Sequence, residues 1–298
     1  MRNLAVKIIC ILYLSVLFTG CGNGEPPKTN SEVVFAASIP PVAMILKELV
    51  KGRADVIIVL PSGASPHSFE PKPSDVAEVS GTVALFYVGA GIDQWATEFQ
   101  NENLINLVEM VPDWLIIHTG DEHAGGNIDG HFWLDPTAVM EILSPLTERL
   151  SDVDPGGKEI YTANKLEFER KLHSLIGRHA TNNDRLIKVI QTHAASSYLF
   201  RADNRLGYKT VGVIYPVHGA EPSAAHIVDL INIIYTEHVD LIIAEKQMRR
   251  DIADSLSSET GVPVVELDPL GGGTAYIDFI QNNLNAIEQA LEMSDSNE

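Results

Sequence analysis

Short, unbroken runs of aliphatic and β-branched residues recur along this chain, and they constrain its fold more than any other feature. The first half carries Val33-Val-Phe-Ala-Ala-Ser38, Val56-Ile-Ile-Val-Leu60, Val83-Ala-Leu-Phe-Tyr-Val88 and Leu115-Ile-Ile117. The second half carries Lys188-Val-Ile-Gln-Thr192, Thr210-Val-Gly-Val-Ile214, Leu241-Ile-Ile-Ala244 and Pro263-Val-Val-Glu-Leu267. The runs are continuous rather than alternating in polarity, so each reads as a strand covered on both faces, as in a parallel sheet. The stretches between them have helical spacing: from Ala225 to His238, Ile227, Leu230, Ile231 and Ile234 share one side. Strand and helix alternate twice over, which predicts an α/β fold of two lobes, each a parallel sheet flanked by helices.

The join between the lobes is marked by Asp154-Pro-Gly-Gly157, after which Lys158 to Asn183 contains no Pro and a single Gly. Phe168, Leu172, Leu175, Ile176 and His179 follow a helical stripe there. At 1.5 Å per residue such a helix is roughly 40 Å long, a stiff connector rather than a glycine-rich hinge. It predicts small relative motions of the lobes. The expected organisation is a leader over 1–20, a tether over 21–32, an N-terminal lobe over 33–151, a connecting helix over 152–184 and a C-terminal lobe over 185–298.

The leader reading comes from Arg2 and Lys7 beside the apolar run Ile8 to Phe18, closed by Thr19-Gly20-Cys21. A basic start, a short apolar core and small residues describe a secretory signal, too short for a lasting membrane span. Leu17-Phe-Thr-Gly-Cys21 resembles a bacterial lipobox, which would make Cys21 the lipid-modified N-terminus. Cys10 would leave with the signal, so the folded body holds no thiol and no disulfide framework. About 265 residues remain, enough for one large domain or two modest ones. With a formal charge of −19, the chain is a poor partner for nucleic acid and suits a cation ligand or simple solubility.

Three histidines and one aspartate stand shortly after a predicted strand: His67 after Val56–Leu60, His131 after Leu115–Ile117, His193 after Lys188–Thr192, and Asp268 after Pro263–Leu267. Ligands of open parallel sheets gather at the carboxyl ends of strands, so two residues from each half are able to meet across a cleft. Three neutral imidazoles and a carboxylate suit a divalent first-row metal, zinc first. Taken singly, each of these histidines reads more readily as a plain loop or structural residue than as a ligand.

The surrounding motifs carry a resemblance. Pro66-His-Ser-Phe-Glu-Pro-Lys-Pro-Ser-Asp75, Asp129-Gly-His-Phe-Trp-Leu-Asp-Pro136, Thr192-His-Ala-Ala-Ser-Ser-Tyr198 with Leu206-Gly-Tyr208, and Leu267-Asp-Pro-Leu-Gly-Gly272 are similar to the four metal motifs of one family. That family is the zinc- and manganese-specific solute-binding lipoproteins of ABC importers. Ala220-Glu-Pro-Ser223 and Leu241-Ile-Ile-Ala-Glu245 match further segments of it. The resemblance implies two four-stranded lobes bridged by a long helix, with His67, His131, His193 and Asp268 as metal ligands. It also implies a receptor in the cell envelope, outside the cytoplasm, that is anchored through Cys21, acts as a monomer and delivers metal to a membrane permease. In this family a histidine at the third ligand position goes with zinc and a glutamate with manganese, since a second carboxylate hardens the site. His193 therefore points to zinc, with manganese or iron as the alternative.

His118 and His123 lie among acids and glycines in the loop before His131, where they read either as a weak outer site that collects metal or as a solvated loop. His173, His179, His226 and His238 read as structural, and His218 as a residue near the third and fourth motifs. Asp135, Glu221 and Glu245 are candidate acceptors for the second ring nitrogen of a ligating imidazole. Gly271-Gly-Gly273 lacks the Lys-Ser or Lys-Thr of a phosphate loop and reads as a close turn beneath Asp268. A secreted zinc hydrolase is the rival from another class, since the same ligands could leave room for an activated water, yet there is no His-Glu-x-x-His run. A metal-carrying adhesin is a third reading. It rests on anchoring alone.

Overall fold

A computed structural model of the chain describes residues 32–119, 127–179, 186–199, 207–216 and 220–295. The leader and tether, with Cys10 and Cys21, lie outside the described residues, as do His123 and His218.

The N-terminal lobe opens with β1 (Val34–Ala37), α1 (Pro40–Val50) and β2 (Asp55–Ile58), followed by α2 (Pro73–Ser80), β3 (Leu85–Tyr87) and β4 (Leu104–Asn106). Its sheet is parallel with the order β2-β1-β3-β4. Phe35 of β1 and Phe86 of β3 are fully buried and meet edge to face at 5.7 Å. Pro40 occupies the first turn of α1, where its missing N–H costs no hydrogen bond.

One expectation needs correction here. The fourth strand of this sheet is Leu104–Asn106, not Leu115–Ile117. Residues Asp113–Leu115 form a 3₁₀ turn, and the chain then enters an antiparallel hairpin of β5 (Ile117–Thr119) and β6 (Asn127–Asp129). The hairpin delivers the chain to His131.

From there α3 (Pro136–Val153) runs to the 3₁₀ turn Pro155–Gly157, and α4 (Lys158–His179) forms the long connector. With 22 residues, α4 is about 33 Å long. The expected stripe is there: Phe168, Leu172 and Leu175 are buried. The turn is locked by Asp154, which accepts from Arg53 Nε (2.8 Å) and from the hydroxyl of Tyr161. Arg53 thus ties the end of α1 to the joint between α3 and α4.

The C-terminal lobe comprises β7 (Ile187–Gln191), β8 (Tyr208–Val213), α5 (Ala224–Glu237), β9 (Leu241–Glu245), α6 (Asp251–Thr260), β10 (Val264–Leu267) and α7 (Tyr276–Asp295). Its parallel sheet has the order β10-β9-β7-β8. Ser223 caps α5 through its hydroxyl, and His238 ends that helix in the left-handed conformation, φ 54°.

The two lobes share their main core. Buried residues of the N-terminal sheet, α1, α3 and α4 are continuous with Tyr276, Phe279, Ile280 and Leu284 of α7 and with Val189, Ile243 and Leu267 on one face of the second sheet. A smaller cluster under α5 and α6 covers the other face. Helix α4 packs on α1, α3 and α7 along its length, so the connector is embedded rather than free-standing.

Candidate metal centre

His67 sits in a 3₁₀ turn, Pro66–Ser68, beyond the carboxyl end of β2. The indole N–H of Trp95 donates to Pro66 O at 2.8 Å, and Phe69 packs edge-on against the same indole, which fixes the turn. His131 stands two residues beyond the end of β6, as His193 does beyond β7. The three imidazoles converge. Each offers a ring nitrogen, and all three nitrogens lie within 4.8 Å of one another. Ring centroids are 5.0 Å apart for His131–His193 and 5.6 Å for each pair with His67. His131 and His193 are buried, 7% and 9% exposed.

The rings line a cavity of about 40 Å³ with Trp133, Glu245, Gln247, Met248, Pro269 and Leu270. That volume is on the scale of an ion with a water beside it. Tetrahedral zinc with bonds of about 2.0–2.1 Å would draw the nitrogens to roughly 3.4 Å from one another, within reach of small ring rotations.

The arrangement can be compared with known proteins. A family profile described as "Zinc-uptake complex component A periplasmic" matches residues 35–290. The chain belongs to this family. Among its relatives, the high-affinity zinc uptake system protein ZnuA of Bacillus subtilis is 27% identical over 93% of this chain and 94% of its own length. The manganese-binding lipoprotein MntA of Halalkalibacterium halodurans is 25% identical over 96% of this chain and 99% of its own. A crystal structure of ZnuA superposes with a TM-score of 0.72 at 25% identity, covering 88% of this chain and 98% of that one. The expected architecture of two four-stranded parallel lobes and a long helix agrees with these neighbours.

Around the histidine triad, buried carboxylates lie against two of the rings. Asp129 Oδ1 lies 2.6 Å from His131 Nδ1 and also accepts from the His131 backbone N–H at 2.9 Å. A carboxylate only accepts, so Nδ1 carries the proton and Nε2 keeps its lone pair for a metal. Glu245 Oε1 lies 3.6 Å from His193 Nδ1, near the second ring but beyond hydrogen-bond distance. Both carboxylates are buried, and Asp129 Oδ2 and Glu245 Oε1 have no hydrogen-bond partner among the described residues. Orphaned anionic oxygens beside three imidazoles favour a cation in their midst.

Of the expected ring acceptors, Glu245 faces an imidazole, and the other two have the following partners among the described residues. Asp135 is the cap of α3, accepting from Thr137 N at 2.8 Å, and Glu221 is exposed and paired with Arg249 at 2.7 Å. Asp129 holds that place instead. An aspartate two residues before a ligating histidine, closing a tight turn on the histidine's own N–H, was the available signal.

Asp268 does not join the triad in this structure. Its carboxylate is not among the atoms within 4.8 Å of one another. Asp268 Oδ1 accepts from Gln247 Nε2 at 2.7 Å and from the backbone N–H of Gly271 at 3.0 Å, and Oδ2 pairs with Lys246 Nζ at 3.1 Å. Its chain neighbours Pro269 and Leu270 do line the cavity. Gly271 makes the close turn expected there: its φ is +62°, and a Cβ would lie 2.6 Å from Met44 and 2.7 Å from Phe279. His118 is exposed on β5, opposite Ile128 of β6.

Among the described residues, buried hydrogen bonds cross between the lobes beside the triad. The indole of Trp133 donates to Pro269 O (2.8 Å), Tyr276 donates to Trp133 O (2.7 Å) and Tyr198 donates to Asp129 O (2.9 Å). All are buried, and sequence reading named none of them.

Proposed function

We propose that this chain is an extracytoplasmic receptor that captures zinc between its lobes and hands it to the permease of an ABC importer. One observation carries this reading: three imidazoles, delivered by three separate segments of the chain, converge on a cavity sized for a single ion. Family membership supports it. We assign His67, His131 and His193 as three ligands and Asp268 as the fourth, swung in from its present partners. Anchoring through a lipid on Cys21 and action as a monomer complete the proposal, and the lipoprotein relative is in keeping with the first. The capture reading makes the chain a carrier rather than a catalyst.

Zinc is preferred over manganese because all three converging donors are borderline nitrogen ligands, and manganese favours a harder, oxygen-richer set. The test is metal analysis of protein purified from a mixture of zinc and manganese at equal activity. One zinc per chain is the expected result; manganese as the retained metal would overturn the assignment.

A further inference from the structure

The segment Glu245-Lys246-Gln247, at the end of β9, touches two of the proposed ligands at once, His193 and Asp268. Glu245 faces His193. The next two side chains both engage Asp268, Lys246 through its ammonium and Gln247 through its amide. The backbone of Asp268 is fixed independently. Its N–H donates to Asn283 Oδ1 at 2.9 Å, and Asn283 Nδ2 returns a bond to Asp268 O at 3.2 Å from its buried place on α7. The main chain is therefore held, and Oδ1 is held by neutral donors, Gln247 Nε2 and the backbone N–H groups of Leu270 and Gly271, whereas Lys246 is the charged partner and sits on Oδ2.

We propose that Lys246 is a tethered competitor for the fourth zinc ligand, holding the Asp268 carboxylate off the triad and setting how readily the ion leaves. This rests on the reading of Asp268 as a ligand. To coordinate zinc, Asp268 must exchange the ammonium at Oδ2 for the metal. In the reverse direction, Lys246 offers the departing carboxylate a cation, so the ligand is not stranded without a partner when the ion moves on. The competitor has to be weak for capture to succeed. Lys246 is 61% exposed and Asp268 27% exposed, so water screens the pair and its strength is that of a surface ion pair. Gln247, neutral and shorter, orients the carboxylate without competing for its charge. The same charge placed on a rigid buried arginine would hold the carboxylate too firmly for the exchange.

The test measures zinc affinity by chelator competition and zinc loss by stopped flow on the full mature chain. The proteins are wild type, Lys246→Met, Asp268→Asn and the double variant. Methionine retains the aliphatic stem and removes only the ammonium. Lys246→Met is expected to bind zinc about three- to five-fold more tightly and to release it correspondingly more slowly, the scale of an exposed ion pair. In the Asp268→Asn background the same change should have no effect. Unchanged or weaker binding by Lys246→Met would overturn the proposal while leaving zinc capture intact. A gain that persists without Asp268 would also overturn it, since that describes simple repulsion between the lysine and the ion. Failure of the wild type to take up one zinc would instead remove the functional reading itself.

Discussion

At the scale of single residues, the convergence of three histidines was legible because each sits in a recognisable local motif, and the folded chain brings those three rings together. The support behind them was not legible. Asp129 lies in the same motif as His131, but a loop carboxylate two residues away looks like any turn-former until the 2.6 Å contact is seen. That contact fixes the tautomer of His131, and partners of this kind typically matter 10- to 100-fold in metal affinity. Asp129→Asn keeps the shape and removes the charge, so zinc binding is expected to weaken about tenfold in chelator competition. Unchanged affinity would mean that Asp129 only shapes the turn. Asp268 shows the opposite limit: its position was readable, whereas its orientation depends on Lys246 and Gln247, which come from a different strand.

At the scale of elements, long or strongly apolar segments were readable and short ones were not. The connector helix begins at Lys158 as expected and is described to His179, and the four strands of the second half match the observed elements closely. Leu104–Asn106 was missed because a three-residue edge strand carries too little pattern to separate it from loop, and Leu115–Ile117 was assigned in its place. An apolar triplet satisfies a 3₁₀ turn or a hairpin arm as well as it satisfies a sheet strand. The joint between α3 and α4 has its own testable chemistry. The Arg53 guanidinium beside Asp154 holds that carboxyl below its ordinary 3.8, assisted by the Tyr161 hydroxyl. A carboxylate with a depressed folded pKa stabilises the fold above its unfolded value and loses that contribution as pH falls through the folded one. Asp154→Asn is therefore expected to lose about 1–2 kcal/mol at pH 7, allowing for solvent on the arginine side. Denaturant melts should show that gap closing below about pH 4, and a gap that stays constant into acid would contradict the assignment.

At the scale of the whole molecule, the sequence announced two lobes, and the structure adds that they are not independently packed. One apolar core runs from the first sheet through α4 and α7 into the second. Buried hydrogen bonds from Trp133, Tyr198 and Tyr276 stitch the lobes beside the triad. Wide separation of the lobes would break all of these at once, so capture and release are assigned to side-chain and loop movement, Asp268 foremost. This continuity depends on residues distant in the chain, and no local pattern announces it. The whole account turns on one geometric claim, that residues from both lobes enclose the same ion. X-ray absorption at the zinc edge of the loaded protein reads this directly. Three imidazole nitrogens and one oxygen near 2.0 Å are predicted, with one imidazole lost in each of the His67→Ala, His131→Ala and His193→Ala variants. A zinc shell containing one imidazole or none, or unchanged by those substitutions, would contradict it.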